Sequence, residues 1–313
     1  MKSVVVLGGT GFVGQQVCKL LLEHGRSVTV PTRKRSLQHP AVGVTLREVD
    51  VHDEQALTQV LAEHDAVINL VAILHGDAAA FESVHVALPR KLVRACVRQG
   101  VARVVHVSAL GVNDMHPERG PSEYLRSKGR GEAVLLHAPE AAGLDVTVLR
   151  PSVIFGAGDK FLTMFAKLQS VFPVMPLAGA NAKFQPVWVE DVALAVVRAL
   201  ERSPDVSARV ALPRIIEACG PDVYTLVDLV RLSARLSGVR GGAGRPVFAL
   251  PGWMARAQAR MMELAPGVTL MSRDNLDSMK VDNVASGTMP GLEALGITPE
   301  PLEPIAARYL GKI

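Results

Sequence analysis

Short apolar runs alternate with amphipathic segments along the first half of the chain. A β-branched run at Ser3–Leu7 leads into glycines and then into an amphipathic segment at Val13–His24. The same alternation predicts strands at Ser27–Val30, Val44–Val49, Ala66–Leu70 and Arg103–Ser108, and helices at Glu54–Ala62 and Phe81–Gln99. Strands that alternate with helices are typical of a parallel sheet covered by helices on both faces. The pattern therefore predicts a doubly wound α/β fold.

The alternation becomes irregular in the second half, after Gly156. A segment rich in large apolar residues predicts a helix at Phe161–Phe172, and Val192–Glu201 predicts another helix with Asp191 as its N-cap. A basic amphipathic helix is predicted at Trp253–Met262. We expect this half to form a smaller, mixed region.

Composition narrows the class of protein. Of 313 residues, 49% are hydrophobic and 20% are charged, which excludes intrinsic disorder and coiled coil. Lys and Arg exceed Asp and Glu by only 34 to 30, without a basic stripe, so no nucleic-acid partner is expected. The most apolar later stretch, Ala66–Leu74, is far shorter than the roughly 20 residues that span a bilayer.

The cysteines and the N-terminus indicate the cellular setting. Cys18, Cys96 and Cys219 are too scattered to form a disulfide framework or to chelate a metal, so no metal site is expected. The N-terminal apolar run breaks into glycines instead of a signal-peptide cleavage site. We therefore expect a cytoplasmic protein in a reducing environment.

The first predicted strand runs directly into glycines with the spacing G-x-x-G-x-x-G. Gly8 allows a tight turn, Gly11 lets the backbone approach a pyrophosphate, and Gly14 lets the helix pack against the strand. The helix N-terminus offers free N–H groups to phosphates. The alternative is a plain strand–helix turn, but the position between a strand and a helix favours a dinucleotide-binding Rossmann fold. Its cofactor loop comprises Gly8, Thr10, Gly11, Phe12, Val13 and Gly14.

The end of the second strand indicates which dinucleotide binds. An NAD site places an acid there, whereas this chain has Arg33 and Lys34, followed by Arg35. A guanidinium favours a 2′-phosphate, so NADP(H) is preferred over NAD(H), although a solvated basic loop is the alternative. Further cofactor contacts are expected at the ends of the third and fourth strands, from Asp50, Val51, Leu70, Val71 and Ala72.

Tyr124 and Lys128 form a Y-x-x-x-K pair after the fifth strand. Residues i and i+4 lie on one face of a helix, so the phenol and the ammonium can reach the same ribose and substrate. The ammonium is expected to lower the tyrosine pKa and make the phenol an acid or base near neutrality. The alternative is a surface pair on a solvated helix.

At this point the chain resembles the extended and atypical short-chain dehydrogenase/reductases, which include NAD-dependent epimerase/dehydratase-like proteins. The resemblance covers nearly the whole chain and rests also on the segments Leu149–Gly156 and Pro186–Ala193. The segments His106–Gly111, Leu250-Pro251, Ser272–Asn275 and Val281–Asn283 resemble one branch, the bacterial relatives of the NADPH-binding accessory subunit of respiratory complex I. Other relatives in this branch are linked to ubiquinone biosynthesis. The resemblance implies further cofactor contacts from Pro151 and Val153.

The chain departs from the family beside the tyrosine. Family enzymes hold the substrate oxygen with a Ser or Thr one or two places beyond the first serine after the fifth strand, where this chain has Ala109 and Leu110. Ser108 either takes the place of that hydroxylic residue after a small loop shift or forms a hydrogen bond with a backbone group at the strand end. Loss of the hydroxyl would remove positioning energy on the order of a few kcal/mol.

The resemblance implies two main functions. The first is hydride transfer between NADP(H) and a carbonyl or sugar-like carbon, with Tyr124 as acid/base, Lys128 as its partner and Ser108 as a weak orienting group. The substrate is a small molecule, and a quinone-related one is an alternative. The second is a non-turnover protein that holds NADPH as a structural element while it docks on a respiratory or quinone-making complex. A third implied function is that of a sugar-nucleotide epimerase or dehydratase. The sequence does not indicate the oligomeric state.

The family's second half forms a cap over the nicotinamide. We expect residues 1–156 to form the Rossmann domain and 157–313 mainly the cap, with about 184–220 returning to the sheet. The large apolar residues of the cap either line the site or fill its core: Phe161, Met164, Phe165 and Phe184. The predicted basic helix carries Met254, Ala257, Met261 and Leu264 on one face, beside Arg256 and Arg260. That face either packs on the cap or docks on a partner or a membrane, which would place the protein at the inner face of the cytoplasmic membrane.

Overall fold

A computed structural model describes residues 2–34, 41–138, 141, 143–201, 214–264 and 271–311. The strands are β1 (Ser3–Leu7), β2 (Ser27–Thr32), β3 (Thr45–Glu48), β4 (Ala66–Asn69), β5 (Arg103–Val107), β6 (Asp145–Pro151), β7 (Ile154–Phe155), β8 (Met175–Leu177), β9 (Lys183–Phe184), β10 (Val187–Trp188), β11 (Ile215–Ala218), β12 (Tyr224–Thr225) and β13 (Val247–Ala249). The α-helices are α1 (Phe12–Glu23), α2 (Glu54–Leu61), α3 (Ala78–Glu82), α4 (Leu88–Gln99), α5 (Glu123–His137), α6 (Leu162–Val171), α7 (Val189–Glu201), α8 (Leu226–Ser237), α9 (Gly252–Leu264), α10 (Arg273–Ser278) and α11 (Leu302–Leu310).

Seven parallel strands form the central sheet, in the order β11-β6-β5-β4-β1-β2-β3. The chain order reverses between β4 and β1, whose register pairs Val4 with Ala66 and Leu7 with Asn69. In open α/β sheets, ligands bind outside the carboxyl ends of the strands at such a switch point. The predicted α/β doubly wound fold is confirmed, and the predicted strands occur with boundaries shifted by no more than two residues.

Both faces of the sheet are buried, which explains the nearly continuous apolar strands. Val4 and Val6 of β1 belong to the core beneath α1 and α7, whereas Val5 and Leu7 belong to the core beneath α2, α4 and α5. The first strand therefore alternates between two cores instead of between core and solvent.

A third core fills the cap, built from α6, α8, α11 and the short strands. Phe165 and Phe184 are buried in it, and the ring of Phe161 lies 5.3 Å from that of Phe165 and 5.8 Å from that of Phe184. Met164 packs against the same core. Of the two alternatives, the structure supports core packing for these residues. The division into two domains stays a prediction.

One helix prediction is confirmed with a local difference, and another is wrong in detail. Every residue of the predicted helix Phe81–Gln99 is helical, but the helix already begins at Ala78 and includes a π-helical turn at Ser83–Ala87 between α3 and α4. Asp191 is not the N-cap of α7, since the helix already begins at Val189. The Asp191 carboxylate instead accepts a hydrogen bond from the backbone N–H of Glu300, at 2.9 Å.

The basic helix α9 packs through a different face from the expected one. Its buried residues are Ala255 and Ala259, whereas Met261 and Leu264 are 70% and 78% exposed. The expected packing of the methionine-rich face on the cap is therefore wrong. Within the described ranges, no helix is both long and apolar enough to cross a membrane.

Candidate functional site

The glycine turn lies at the carboxyl end of β1, where the order of the strands reverses. Gly8 has a φ of +81°, and its carbonyl accepts a hydrogen bond from the N–H of Gly11 at 3.0 Å. Gly11 precedes α1 and no side chain caps the helix, so the first N–H groups of α1 have no side-chain partner. The first turn of α1 also lacks an acidic residue. This end of the helix suits an anion such as a pyrophosphate.

Gly14 is required by the close approach of α1 to the turn. A Cβ atom at this position would lie 2.3 Å from the carbonyl oxygen of Gly8 and 2.6 Å from the Cα of Gly9. Both contacts are with backbone, so no side-chain movement would relieve them. The contacts made by Gly8 and Gly14 therefore fit the roles of tight turn and close packing that the sequence predicted for them.

The residues after β4 lie directly against the glycine turn. A Cβ atom at Gly8 would lie 3.2 Å from the carbonyl carbon of Leu70 and 3.3 Å from the nitrogen of Val71. The buried Asn69 side chain accepts a hydrogen bond from the N–H of Val71 at 3.2 Å and contacts His106 Nδ1 at 3.2 Å. Ala72 is exposed. The structure thus brings the predicted β1 and β4 residues to one edge of the sheet.

Arg33 and Lys34 are exposed directly after β2, and Arg35 lies outside the described residues. In the loop after β3, burial is the main cause that lowers the pKa of His52, and the positive charges of Lys91 and Arg33 lower it further. The carboxylate of Asp50 accepts a hydrogen bond from the backbone N–H of His52 at 3.0 Å. His52 is a polar group of this corner that the sequence analysis missed.

Val51 is half-buried between Asp50 and His52 and packs against the core under α2 and α4. The Asp50 carboxylate is engaged by its own loop. Hydrogen bonding and packing therefore hold the loop after β3 in place. The positively charged Arg33 and Lys34 follow β2, the neighbouring strand.

Tyr124 lies in the first turn of α5, against two rings. Its ring is 5.5 Å from that of His85 and 6.2 Å from that of Phe81, both with edge-on geometry. The N–H groups of Glu123 and Tyr124 donate to the carboxylate of Asp274 from α10, at 2.7 and 3.1 Å. Burial, assisted by the negative charge of Asp274, raises the pKa of Tyr124 to about 12.

Lys128 lies one turn further along α5 and is almost completely buried. Its ammonium donates to the carbonyl oxygen of Val107, at the end of β5, at 2.9 Å. Burial lowers the pKa of Lys128 to about 8, and the charge of Glu132 opposes that shift. The expectation that this ammonium lowers the pKa of Tyr124 is wrong here, because burial and Asp274 dominate the phenol. The alternative of a solvated surface pair is excluded for Lys128.

His85 lies beside Tyr124 and connects neighbouring backbone and side-chain groups through hydrogen bonds. The sequence patterns did not predict this residue. Its Nε2 accepts a hydrogen bond from the N–H of Ile73 at 3.2 Å, so the proton lies on Nδ1, which contacts the Ser127 hydroxyl at 2.9 Å. That hydroxyl donates to the carbonyl oxygen of Tyr124. Burial and the charge of Lys128 lower the pKa of His85 to about 3, so it stays neutral. The π-helical turn that carries it packs on Gly131, where a Cβ atom would lie 1.9 Å from the His85 carbonyl oxygen.

Ser108 is buried, and its hydroxyl has no hydrogen-bond partner among the described residues. The hydroxyl lies beside Glu132 closely enough to help lower the pKa of that carboxyl, although the contact does not reach hydrogen-bond geometry. The alternative that Ser108 satisfies a backbone group at the strand end is therefore wrong. Leu110 is buried, with its N–H bonded to the carbonyl oxygen of Pro151 at 3.0 Å.

A buried ion network lies behind Lys128. Arg150 donates to Glu132 through Nε at 3.1 Å and to Asp114 through a terminal nitrogen at 2.6 Å. Asp114 also contacts His137 Nε2 at 2.8 Å. Burial raises the pKa of Glu132 despite Arg150, whereas hydrogen bonds to His137 and Arg150 outweigh burial at Asp114 and lower its pKa. One signal for Glu132 existed in the sequence, since it lies four residues after Lys128 on the same helix face.

The segment after β6 connects the cap with the glycine turn. The Asn283 side chain accepts hydrogen bonds from the Val153 N–H at 3.0 Å and from the Ser152 hydroxyl at 2.7 Å. A Cβ atom at Gly156 would lie 3.5 Å from the ring of Phe12. Pro151, Val153 and Phe12 thus belong to one connected region between sheet and cap.

Comparisons with known proteins agree with this architecture. A model of the NAD dependent epimerase/dehydratase family matches residues 4–211. The chain is 31% identical to the mitochondrial NADH dehydrogenase [ubiquinone] 1 alpha subcomplex subunit 9 of Mus musculus, over 95% of this chain and 77% of that protein. It is 27% identical to the Arabidopsis thaliana protein of that name, over 97% and 76%. The crystal structure of Thermus thermophilus UDP-glucose 4-epimerase in complex with NAD shares the fold, with a TM-score of 0.64, 21% identity and coverage of 89% and 99%.

Proposed function

The chain belongs to the NAD dependent epimerase/dehydratase family, within the extended short-chain dehydrogenase/reductases, and we propose that it binds NADP(H) in preference to NAD(H). The preference rests on the residues directly after β2. Arg33 and Lys34 are exposed there, and no acidic residue stands between the strand and Arg33. A guanidinium pairs with a phosphate through parallel hydrogen bonds, whereas it gives no comparable partner to a bare ribose hydroxyl.

The remaining contacts follow from the position of the glycine turn. The pyrophosphate would lie at Gly8, Gly11 and the start of α1, where free N–H groups and a close backbone suit an anion. The residues after β4, Leu70 to Ala72, would pass beside the cofactor. Tyr124 and Lys128 would face the nicotinamide ribose.

Cofactor titration tests this assignment. We expect NADPH to bind more tightly than NADH, and Arg33→Ala to remove most of the difference, since a charged hydrogen bond is worth about 1.5–3 kcal/mol. Arg90→Ala, a change of an exposed arginine on α4, is the matched control and should preserve the preference. Equal affinities of the wild type for NADPH and NADH would refute the assignment.

We propose hydride transfer to a carbonyl as the reaction if the protein turns over. The nicotinamide, when bound, supplies the hydride. With a pKa of about 12, the Tyr124 phenol keeps its proton at neutral pH and is suited to donate it to a developing alkoxide. Lys128 would hold the ribose while bonded to Val107, and Ser108 would orient the substrate only weakly, because its hydroxyl lies beside Glu132. Reduction of candidate carbonyl compounds that Tyr124→Phe abolishes would establish turnover.

The second candidate is an accessory protein that holds NADPH without turnover. It is supported by Ala109 and Leu110 at the place of the family's hydroxylic residue, and by the similarity to subunits named for a respiratory dehydrogenase. Such a protein would lie at the inner face of the cytoplasmic membrane, on a respiratory or quinone-making complex. Native mass spectrometry of the purified protein tests this candidate: we expect bound NADPH and a co-purifying partner, and NADPH that is consumed on addition of a carbonyl compound would favour the reductase.

A further inference from the structure

A buried histidine connects the loop after β4 with the first turns of α5. Both ring nitrogens of His85 have a hydrogen-bond partner, and the two partners lie far apart in the chain. Nε2 accepts from the N–H of Ile73 in the loop, at 3.2 Å, and Nδ1 lies 2.9 Å from the hydroxyl of Ser127 in α5. The imidazole therefore joins two segments that are not neighbours in the sequence.

The hydrogen bonds on both sides of the ring require the same tautomer. The Ser127 hydroxyl donates its only proton to the carbonyl oxygen of Tyr124 at 2.9 Å, so it accepts from His85 Nδ1. Nε2 is then the acceptor that the N–H of Ile73 needs. Burial and the charge of Lys128 lower the pKa of His85 to about 3, which keeps this neutral form. Every donor thus points from the loop towards Tyr124, and we call this sequence of bonds the His85 chain.

The loop at one end of the His85 chain packs against the glycine turn. Residues 70–77 form neither helix nor strand, so side-chain hydrogen bonds are what hold them. A Cβ atom at Gly8 would lie 3.3 Å from the nitrogen of Val71. The N–H of Val71 donates to Asn69, and that of Ile73 donates to His85. The loop is therefore fixed twice, once beside the glycine turn and once at the imidazole.

Ring packing holds the phenol against the same imidazole. The ring of His85 lies 5.5 Å from that of Tyr124 with edge-on geometry, and 5.5 Å from that of Phe81 with stacked geometry. Edge-on and offset contacts are the favoured arrangements of aromatic pairs. Tyr124 is thus connected with His85 in two ways, through the ring and through the backbone bond from Ser127.

An irregular turn of the backbone brings the imidazole to this place. His85 lies in the π-helical turn Ser83–Ala87, a form that is rare and occurs frequently at functional sites. Its carbonyl oxygen packs on Gly131 of α5, where a Cβ atom would lie only 1.9 Å away. This close approach of two backbones places the side chain between the loop and α5.

We propose that His85 is a positioning residue, which holds Tyr124 at a fixed place relative to the loop after β4 and so aligns the phenol with the nicotinamide ribose of NADP(H). The inference rests on the proposed cofactor binding and adds a residue to it. His85 acts through Tyr124 and Ile73 and does not itself contact the cofactor.

Two ligands separate the halves of the cofactor in calorimetric titrations of the full chain. NADPH carries the nicotinamide ribose, whereas adenosine 2′-phosphate 5′-diphosphate ends at the pyrophosphate. The ratio of the two affinities is called the nicotinamide gain. We expect His85→Phe, which retains an aromatic ring, to lower NADPH affinity about 2- to 10-fold, the range of one neutral hydrogen bond. The affinity for the fragment should stay unchanged, because Asn69 still holds Val71 beside the glycine turn.

A double-mutant cycle separates positioning from a general contribution to stability. Tyr124→Phe removes the hydroxyl and should itself lower the nicotinamide gain. If His85 acts through that hydroxyl, His85→Phe should cause no further loss in the Tyr124→Phe protein. Ser127→Ala breaks the His85 chain with a smaller change and should also lower the nicotinamide gain. This second variant keeps the test decisive if His85→Phe does not fold.

His64→Phe is the matched control, because His64 also bridges two groups. Its Nδ1 contacts the carbonyl oxygen of Ala62 and its Nε2 contacts the hydroxyl of Thr29, both at 2.9 Å. We expect this variant to have a lower melting temperature and an unchanged nicotinamide gain.

Several results would overturn the positioning role. These are an unchanged nicotinamide gain in His85→Phe and Ser127→Ala, equal losses for both ligands, no loss in Tyr124→Phe, additive losses in the cycle, or the same loss in His64→Phe. With NADPH binding by the wild type intact, each of them refutes this inference alone. No binding of NADPH by the wild type would refute the proposed cofactor, and this inference with it.

Discussion

The glycine turn and the surroundings of Tyr124 lie at the same edge of the sheet, yet different kinds of contact hold them. Gly8, Gly11 and Gly14 are arranged mainly by contacts within one strand, turn and helix. Tyr124 is held by His85 and by Asp274, which lies 150 residues further along the chain. The first arrangement is short-range, and the second requires the cap.

The difference has a chemical consequence. At the glycine turn the functional groups are backbone N–H groups, whose properties hardly depend on the rest of the protein. At Tyr124 and Lys128 the functional groups titrate, and burial moves their pKa values to about 12 and about 8. A motif is therefore sufficient to predict the chemistry of a backbone site, but not the protonation of titratable side chains such as Tyr124 and Lys128.

A change at Gly14 disturbs the arrangement within one strand, turn and helix, and we expect it to have the strongest effect. Gly14→Val places side-chain carbon against the carbonyl of Gly8, and overpacking of this kind costs about 1–3 kcal/mol. Displacement of the turn should also remove charged hydrogen bonds to the pyrophosphate, worth about 1.5–3 kcal/mol each. We expect both the melting temperature and the NADPH affinity to fall, by calorimetry. Gly252→Ala is the control, because a Cβ there meets nothing within 4 Å; unimpaired NADPH binding by Gly14→Val would contradict the assignment.

The next effect concerns the buried ammonium. Folded Lys128 loses its proton near pH 8, from a reference value of 10.5, so between these values the unfolded chain binds more protons. The free energy of unfolding should therefore rise with pH across this range, by about 3 kcal/mol in total, whereas below pH 8 the cost of the buried charge is fully present. Urea unfolding of the wild type and Lys128→Met at several pH values measures it. The same pH slope in both proteins would show that Lys128 is not buried as a charged group.

The weakest of the three effects concerns the negative charge beside Tyr124. Asp274→Asn removes the negative charge beside the phenol but leaves its burial, so the pKa of Tyr124 should fall and still exceed its ordinary value of 10.0. Ultraviolet titration of the phenolates measures this, with Tyr124→Phe to assign the transition among the three tyrosines. Tyr224 and Tyr309 also have raised pKa values and should not shift. An unchanged Tyr124 transition would mean that Asp274 only accepts hydrogen bonds from the first N–H groups of α5.

Sequence patterns predicted the sheet and most helices because each strand and helix carries its own apolar periodicity. The patterns missed local details where distant contacts compete with that periodicity. The π-helical turn at Ser83–Ala87 accompanies the packing of His85 against Gly131, and α9 buries Ala255 and Ala259 instead of its larger apolar residues. Neither outcome follows from local propensity, since both depend on which neighbour covers the helix.

The site shows the same division. Gly8, Gly14, Tyr124 and Lys128 were predicted from spacing alone, whereas His52, His85, Glu132 and Asp274 were not, because isolated polar residues in a sequence carry no indication of their partners. The similarity to known families confirms the fold and the recognised family. The preference for NADP(H) stays a prediction.

Strand and helix periods and glycine spacing are local properties, so they were enough to predict the parallel sheet, the glycine turn and the pairing of Tyr124 with Lys128 on one helix face. The bond from Lys128 to Val107, and the hydrogen bonds that Asp274 accepts from the first N–H groups of α5, became visible only in the folded chain. Burial and charge–charge interactions depend on distances between residues far apart in the chain, and those distances exist only after the cap has packed on the sheet.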